Sequence, residues 1–195
     1  MDTPISLEAP LRAIGELLER HCQDAAIVVV GGTALNLLGI VSRTTRDVDV
    51  IAVGNPTEGF PPSTLLPPDP LPQHLLDLIT RVARDFAIPD DWMNSAVGGQ
   101  WETGLPPGFE QRVSWQRMGG LWIGLPGRID LILLKLYAAA DDVGPASRHF
   151  KDLIALNPTS DELQAATDWI RTQDPSPEFN DIVAKVVHHV LEASR

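Results

Sequence analysis

Two aspartates one residue apart, Asp47 and Asp49, stand inside the apolar run RDVDVIAV. In an extended strand, residues i and i+2 project to the same face. The spacing therefore predicts both carboxylates on one side, with Val48 and Val50 on the other. Two like charges so placed repel, and burying them unpaired costs several kcal/mol or raises a pKa. A divalent cation removes the conflict. Mg²⁺ takes hard oxygen ligands, commonly one or two carboxylates completed by substrate phosphates. The pair is thus a candidate seat for Mg²⁺, or Mn²⁺. The plain alternative is a solvated edge strand whose polar face happens to carry two acids.

Upstream, three valines run into Gly31, Gly32 and Thr33. A turn from strand through two glycines into a helix lets backbone amides approach an anion closely. Alone it is an ordinary tight turn. Here the turn, a short helix and the aspartate strand follow one another between residues 28 and 53. A phosphate cradle and a metal seat then become neighbours in one unit. Thr45, two residues before Asp47, is expected to face the same way.

These residues need elements to hold them. Ser6 fits the cap of a first helix through LEAPLRAIGELLERH, with Leu7, Leu11, Ile14 and Leu18 on one side. AAIVVV reads as a buried strand, TALNLLGI as a short helix, and RDVDVIAV as a second strand. The stretch GNPTEGFPPSTLLPPDPLP then holds seven of the 17 prolines. It reads as a long loop, either a functional lid or a disordered segment. A helix follows in QHLLDLITRVARDFA. DDWMN and VGGQWETGLPPGFE read as irregular, and RVSWQRMGGLWIGLP as one or two strands about Met118-Gly119-Gly120. Trp92, Trp101 and Trp115 are core or loop anchors, or surfaces on which a base stacks. The remainder is helical: RIDLILLKLYAAADD, ASRHFKDLIAL, TSDELQAATDWIRTQ capped by Thr159 or Ser160, and SPEFNDIVAKVVHHVLEAS. The expected fold class is α/β (α+β): a mixed sheet flanked by helices over residues 1–127, then a helical C-terminal region, 128–195, packed on it as a second domain or a continuation of the first.

The chain has 195 residues, 44% hydrophobic and 21% charged, enough for a real core. Cys22 is the single cysteine, so no disulfide framework and no cysteine-based metal site is expected. A reducing cytoplasm suits this. MDTPISLEAPLRAI does not read as a signal peptide. No run approaches the roughly 20 apolar residues of a membrane span. The net charge of −11 argues against general coating of nucleic acid. It leaves room for a local basic pocket, or for a basic protein partner.

The stretch GGTALNLLGIVSRTTRDVDV resembles the signature of the DNA polymerase β-like nucleotidyltransferase superfamily. Its R-x-T-x-D-x-D form, Arg43 to Asp49, is similar to the branch of AbiEii-type and MenT-type toxins and related uncharacterised proteins. Downstream, LILLKLYAA and SRHFKDLIAL resemble that branch's L-x-x-K-L-x-A and R-x-x-K-D-x-x-D-L segments. They supply Lys135, Arg148, Lys151 and Asp152, while Ala155 replaces the second aspartate.

The resemblance implies Mg²⁺-dependent transfer of a nucleotide from a nucleoside triphosphate. Asp47 and Asp49 would hold the metal, and Gly31, Gly32 and Thr33 would cradle the triphosphate. Lys135 would neutralise phosphate charge; otherwise it snorkels, or it needs an anionic partner on so apolar a helix. Arg43 would contact phosphate or pair with an aspartate. Asp152 would be catalytic, or pair with Arg148. A modification on Thr45 would add negative charge beside the site and block nucleotide binding. Full polymerases use a third carboxylate on a later strand. Glu102, Glu110 and Asp130 are candidates here, Asp130 also fitting a helix N-cap. The implied acceptor is RNA, most plausibly the tRNA 3′ end, in a toxin with a cognate antitoxin protein. The alternatives are transfer to a protein side chain and a degenerate nucleotide-binding module.

Overall fold

The computed structural model describes residues 7–142 and 147–193. Ser6, the expected first cap, lies outside them; the helix starts after Leu7 without a side-chain cap. The chain divides into two compact units: Met1–Glu102 with Glu110–Pro126, and Thr103–Phe109 with Gly127–Arg195.

The first unit is built on a six-stranded mixed sheet. Its strands are β1 (Ala25–Val30), β2 (Val48–Gly54), β3 (Leu65–Leu66), β4 (Met93–Asn94), β5 (Ser114–Met118) and β6 (Leu121–Leu125). The order is β3-β2-β1-β6-β5, with β4 also pairing with β2. All six residues of AAIVVV are buried, because β1 lies between antiparallel β2 and parallel β6 and has no free edge. Gly119 and Gly120 turn β5 into β6 as a tight hairpin, Met118 pairing with Leu121. The helices are α1 (Glu8–Arg20), α2 (Gly31–Leu37) and α3 (Gln73–Phe86), with a short α4 (Gln100–Thr103) closing the first stretch of chain. On α3, Leu75, Leu78, Ile79 and Val82 are buried at helical spacing.

The register of β1 against β2 slips midway. Val28 pairs with Ala52 but Val29 pairs with Val50, leaving Ile51 as the extra residue of a bulge. The freed carbonyl of Ile51 accepts the indole N–H of Trp101. The slip carries Asp49 opposite Val30, the last residue of β1. Without it, Val50 would hold that place.

Two expectations need correction. DDWMN is not wholly irregular: Met93 and Asn94 form a parallel bridge beside Val48 and Asp49. Two residues are too few to show a period. The proline-rich loop is neither a free lid nor a disordered segment. Glu58 Oε2 accepts from Ser63 N at 3.1 Å, Ser63 Oγ at 2.7 Å and Thr64 N at 3.0 Å, which also holds its carboxyl below the usual range. Leu65 and Leu66 then pair with β2, and Phe60 stacks on Trp122.

The second unit is helical: α5 (Arg128–Asp141), α6 (Arg148–Ala155), α7 (Ser160–Gln173) and α8 (Pro177–Ala193). Helix α5 is apolar nearly all round and packs against the other three. Tyr137 on α5 meets Trp169 of α7 and Phe179 of α8. Thr159 and Glu162 form a reciprocal capping box on α7. Arg128 donates to the carbonyls of Leu156 and Asn157 beyond α6 and pairs with Glu162. Asp130 is not the N-cap of α5; Gly127 is, and Asp130 sits fully buried in the first turn. Among the described residues no helix is long and apolar enough to cross a membrane.

Candidate active site

Two constellations form, one in each unit. In the first, β1 ends at Val30 and the chain turns at Gly31, whose φ is +69°. A Cβ built there would stand 2.2 Å from Asp49 Oδ2. The carboxylate therefore lies directly on the glycine turn, and only glycine allows both the backbone angle and the contact. A Cβ on Gly32 would lie 3.0 Å from Thr45 Oγ1 and 3.1 Å from Arg43 Nη2. Five predicted residues, Gly31, Gly32, Arg43, Thr45 and Asp49, thus meet within one small volume.

Gly31→Ala is expected to lower stability by about 1–3 kcal/mol, the range for a side chain forced into a left-handed position. It also has to displace Asp49. A thermal melt measures the first and metal affinity the second; an unchanged Tm with unchanged metal affinity contradicts this packing.

Asp47 precedes the strand rather than lying in it, since β2 begins at Val48. Its carbonyl accepts from Thr33 Oγ1 at 2.7 Å and from Thr45 Oγ1 at 3.3 Å. Thr33 and Thr45 are 3% and 8% exposed, so their hydroxyls are turned inward and spent on the backbone of Asp47. A group added to Thr45 has to break that contact first. Val48 and Val50 are fully buried while Asp47 and Asp49 are half-exposed, which matches the expected alternation.

Asn36 was not singled out by the sequence. Its Nδ2 donates to Arg43 O at 2.8 Å, and its Oδ1 accepts from Arg43 N at 3.4 Å. It lies three residues after Thr33, on the same face of α2. That spacing was the available signal. Thr33, Asn36, Arg43 and Thr45, with Leu11 and Met118, border a cavity of about 570 Å³. Asp47 and Asp49 do not line it.

In the second unit, Lys135 Nζ on α5 lies 2.8 Å from Asp152 Oδ2 on α6, and the two side chains are 6% and 2% exposed. Lys135 is therefore not snorkelling. Asp152 pairs with Lys135. His149 joins them, its Nδ1 3.5 Å from Lys135 Nζ. Burial, then the lysine charge, holds its pKa below the usual histidine value. Arg148 and Lys151 on the same helix are exposed. Nothing in the motif marked His149, which occupies one of its unspecified positions.

The third-carboxylate candidates have other work or other places. Glu110 Oε1 accepts from Leu65 N at 3.4 Å. Glu102 is exposed on α4, and Asp130 is buried in α5. Among the described residues no three His, Cys, Asp or Glu side chains gather as a metal site. His188 and His189 are exposed beside Glu192. Trp92 is core, its indole N–H donating to Ile79 O at 3.2 Å.

Compared with known proteins, residues 9–144 match the family described as a nucleotidyltransferase of unknown function (DUF6036). The chain belongs to that family. No curated protein and no solved structure matches it significantly. For this nucleotidyltransferase-family chain, the matched span takes in the glycine turn, Asp47, Asp49 and Lys135, and ends before Asp152.

The residues present fit a Mg²⁺–nucleotide site. The half-buried carboxylate of Asp49 stands at a turn that a single Cβ would obstruct, and half-buried Asp47 lies two residues before it. Mg²⁺ bound with phosphates needs no more than one or two protein carboxylates.

Proposed function

We propose that the protein is a metal-dependent nucleotidyltransferase of the toxin type, acting from a nucleoside triphosphate. The observation that carries this reading is the seat of Asp49 on Gly31. It sets a carboxylate directly against a backbone turn that only glycine can make, and this supports a seat for a metal-bound phosphate there. Asp47 and Asp49 would hold Mg²⁺ or Mn²⁺. A bound ion would supply charge neutralisation at the α-phosphate, where the acceptor hydroxyl forms the new P–O bond and the bond to the leaving pyrophosphate breaks. Gly31 and Gly32 let Asp49, Thr45 and Arg43 close on the turn, where the triphosphate would bind. Thr33, Thr45 and Asn36 hold the backbones of Asp47 and Arg43. Lys135 offers a point positive charge to phosphate oxygens, and Asp152 holds it in place.

The acceptor we infer is an RNA 3′ end, tRNA above all, which supplies a free hydroxyl as nucleophile. The resemblance to the AbiEii and MenT branch supports this, as does Arg43 as a cation beside the glycine turn. A toxin of this type works in the cytoplasm and is restrained by a cognate antitoxin protein. The charge of −11 favours a protein hydroxyl as the competing acceptor.

Incubation with Mg²⁺, each α-labelled nucleoside triphosphate, total tRNA and a cell lysate decides among these. Label on tRNA is the expected result. Label on protein selects the competing acceptor. No transfer to either, with no triphosphate binding by calorimetry, refutes the enzyme.

A further inference from the structure

We propose that His149 is a positioning residue, whose Nδ1 shares the Lys135 ammonium with Asp152 and sets the direction in which its remaining proton meets a phosphate oxygen. This rests on the reading above that Lys135 binds the triphosphate.

The local sequence explains the arrangement. Ser147 caps α6, its Oγ accepting from Phe150 N at 3.1 Å. His149 and Asp152 then stand three residues apart on one face of α6. Phe150 and Leu153 anchor the helix in the core of its unit. An ammonium has three N–H donors and no acceptor. Among the described residues, two of Lys135's directions are taken, by Asp152 Oδ2 at 2.8 Å and His149 Nδ1 at 3.5 Å. One acceptor leaves a lysine head free to rotate about the bond it makes; a second removes that freedom. A lysine held for packing alone needs only the carboxylate.

The contact requires a neutral ring with its proton on Nε2, because Nδ1 must present a lone pair to a cation. The charges around it are mixed. Lys135 and Arg148 oppose protonation, and Asp142 and Asp152 favour it, while burial outweighs each of them and opposes it. The ring is therefore neutral at pH 7. A histidine whose folded pKa is depressed loses its native form as pH falls below the ordinary value near 6.5 toward the folded value. In that window a protonated ring would face Lys135, and the second acceptor is lost.

The test is triphosphate affinity by calorimetry with Mg²⁺, between pH 5 and 8, for wild type, His149→Gln and His149→Leu. Phosphate itself titrates near pH 6, so the quantity read is the difference between wild type and His149→Gln. Glutamine keeps an acceptor oxygen but does not titrate. It is expected to bind like wild type at pH 7.5 and to lose less affinity in acid. Leucine is expected to bind about tenfold more weakly at pH 7.5, the worth of one hydrogen bond to a charged group. Equal binding by wild type and His149→Leu, or an identical acid loss in wild type and His149→Gln, overturns the inference and leaves the role of Lys135 standing. Absence of triphosphate binding by wild type at every pH removes the role of Lys135 and this inference together.

Discussion

Asp49→Asn is expected to reduce nucleotidyl transfer by about a thousandfold while changing the melting temperature little, and Asp47→Asn to do the same. Asparagine preserves the shape that rests on Gly31. At Asp47 the structural duty belongs to the main-chain carbonyl, held by Thr33 and Thr45, and a side-chain change leaves it in place. What is lost is a charged ligand. A metal contributes several kcal/mol of charge stabilisation to the transition state, and each 1.36 kcal/mol is tenfold in rate. Loss of that contribution gives the factor of about a thousand. A polar edge strand predicts the opposite pattern, with activity kept and no change in metal affinity. Retained activity in either variant sinks the assignment of the metal seat. Mn²⁺ titration followed by water relaxation provides the check that does not depend on finding the acceptor.

Much of the local structure around these residues was legible in the sequence. The apolar run AAIVVV and the glycine turn each obey a short-range rule and formed as those rules require, whereas of the two aspartates expected in one strand only Asp49 lies in it. What escaped were features that depend on contacts distant in sequence. The bulge at Ile51 breaks the period of two inside a strand that is hydrophobic on both faces, so no pattern betrays it. Yet it is the bulge that brings Asp49 level with the end of β1. The clasp made by Glu58 is similarly invisible. A glutamate in a proline-rich stretch looks solvated, and only the folded loop aims two amides and a hydroxyl at it. Asn36 shows the converse. Its spacing from Thr33 put it on the right helix face, but its partner is the backbone of Arg43, and backbone acceptors carry no side-chain signature. Lys135 lies between. The apolarity of LILLKLYAA demanded an anion, and nothing local could say whether that anion was a phosphate or Asp152.

That ambiguity is resolved by mutating the pair as a pair. Lys135→Ala alone takes the ammonium away from the buried Asp152 carboxylate, and Asp152→Ala alone takes the carboxylate away from a buried ammonium. Each is expected to cost about 3–5 kcal/mol of stability, the range for breaking a buried ion pair from one side. In a unit of modest size that loss lowers Tm steeply, so inactivity of either single variant says nothing about chemistry. The double variant Lys135→Met with Asp152→Leu replaces both charges by apolar groups of similar bulk. Buried pairs replaced in this way are commonly neutral or stabilising. Both positions are buried on helices whose neighbouring residues Leu136, Ala139, Phe150 and Leu153 are buried and apolar, so apolar side chains suit them. The double variant is therefore expected to melt at or above the wild-type temperature and to transfer no nucleotide. Its triphosphate affinity falls as well, because the ammonium is gone. A stable double variant that retains wild-type transfer would show that the pair serves only the packing of α5 on α6. A stable, inactive one shows that a charge kept in the core at the expense of stability is kept for the phosphate.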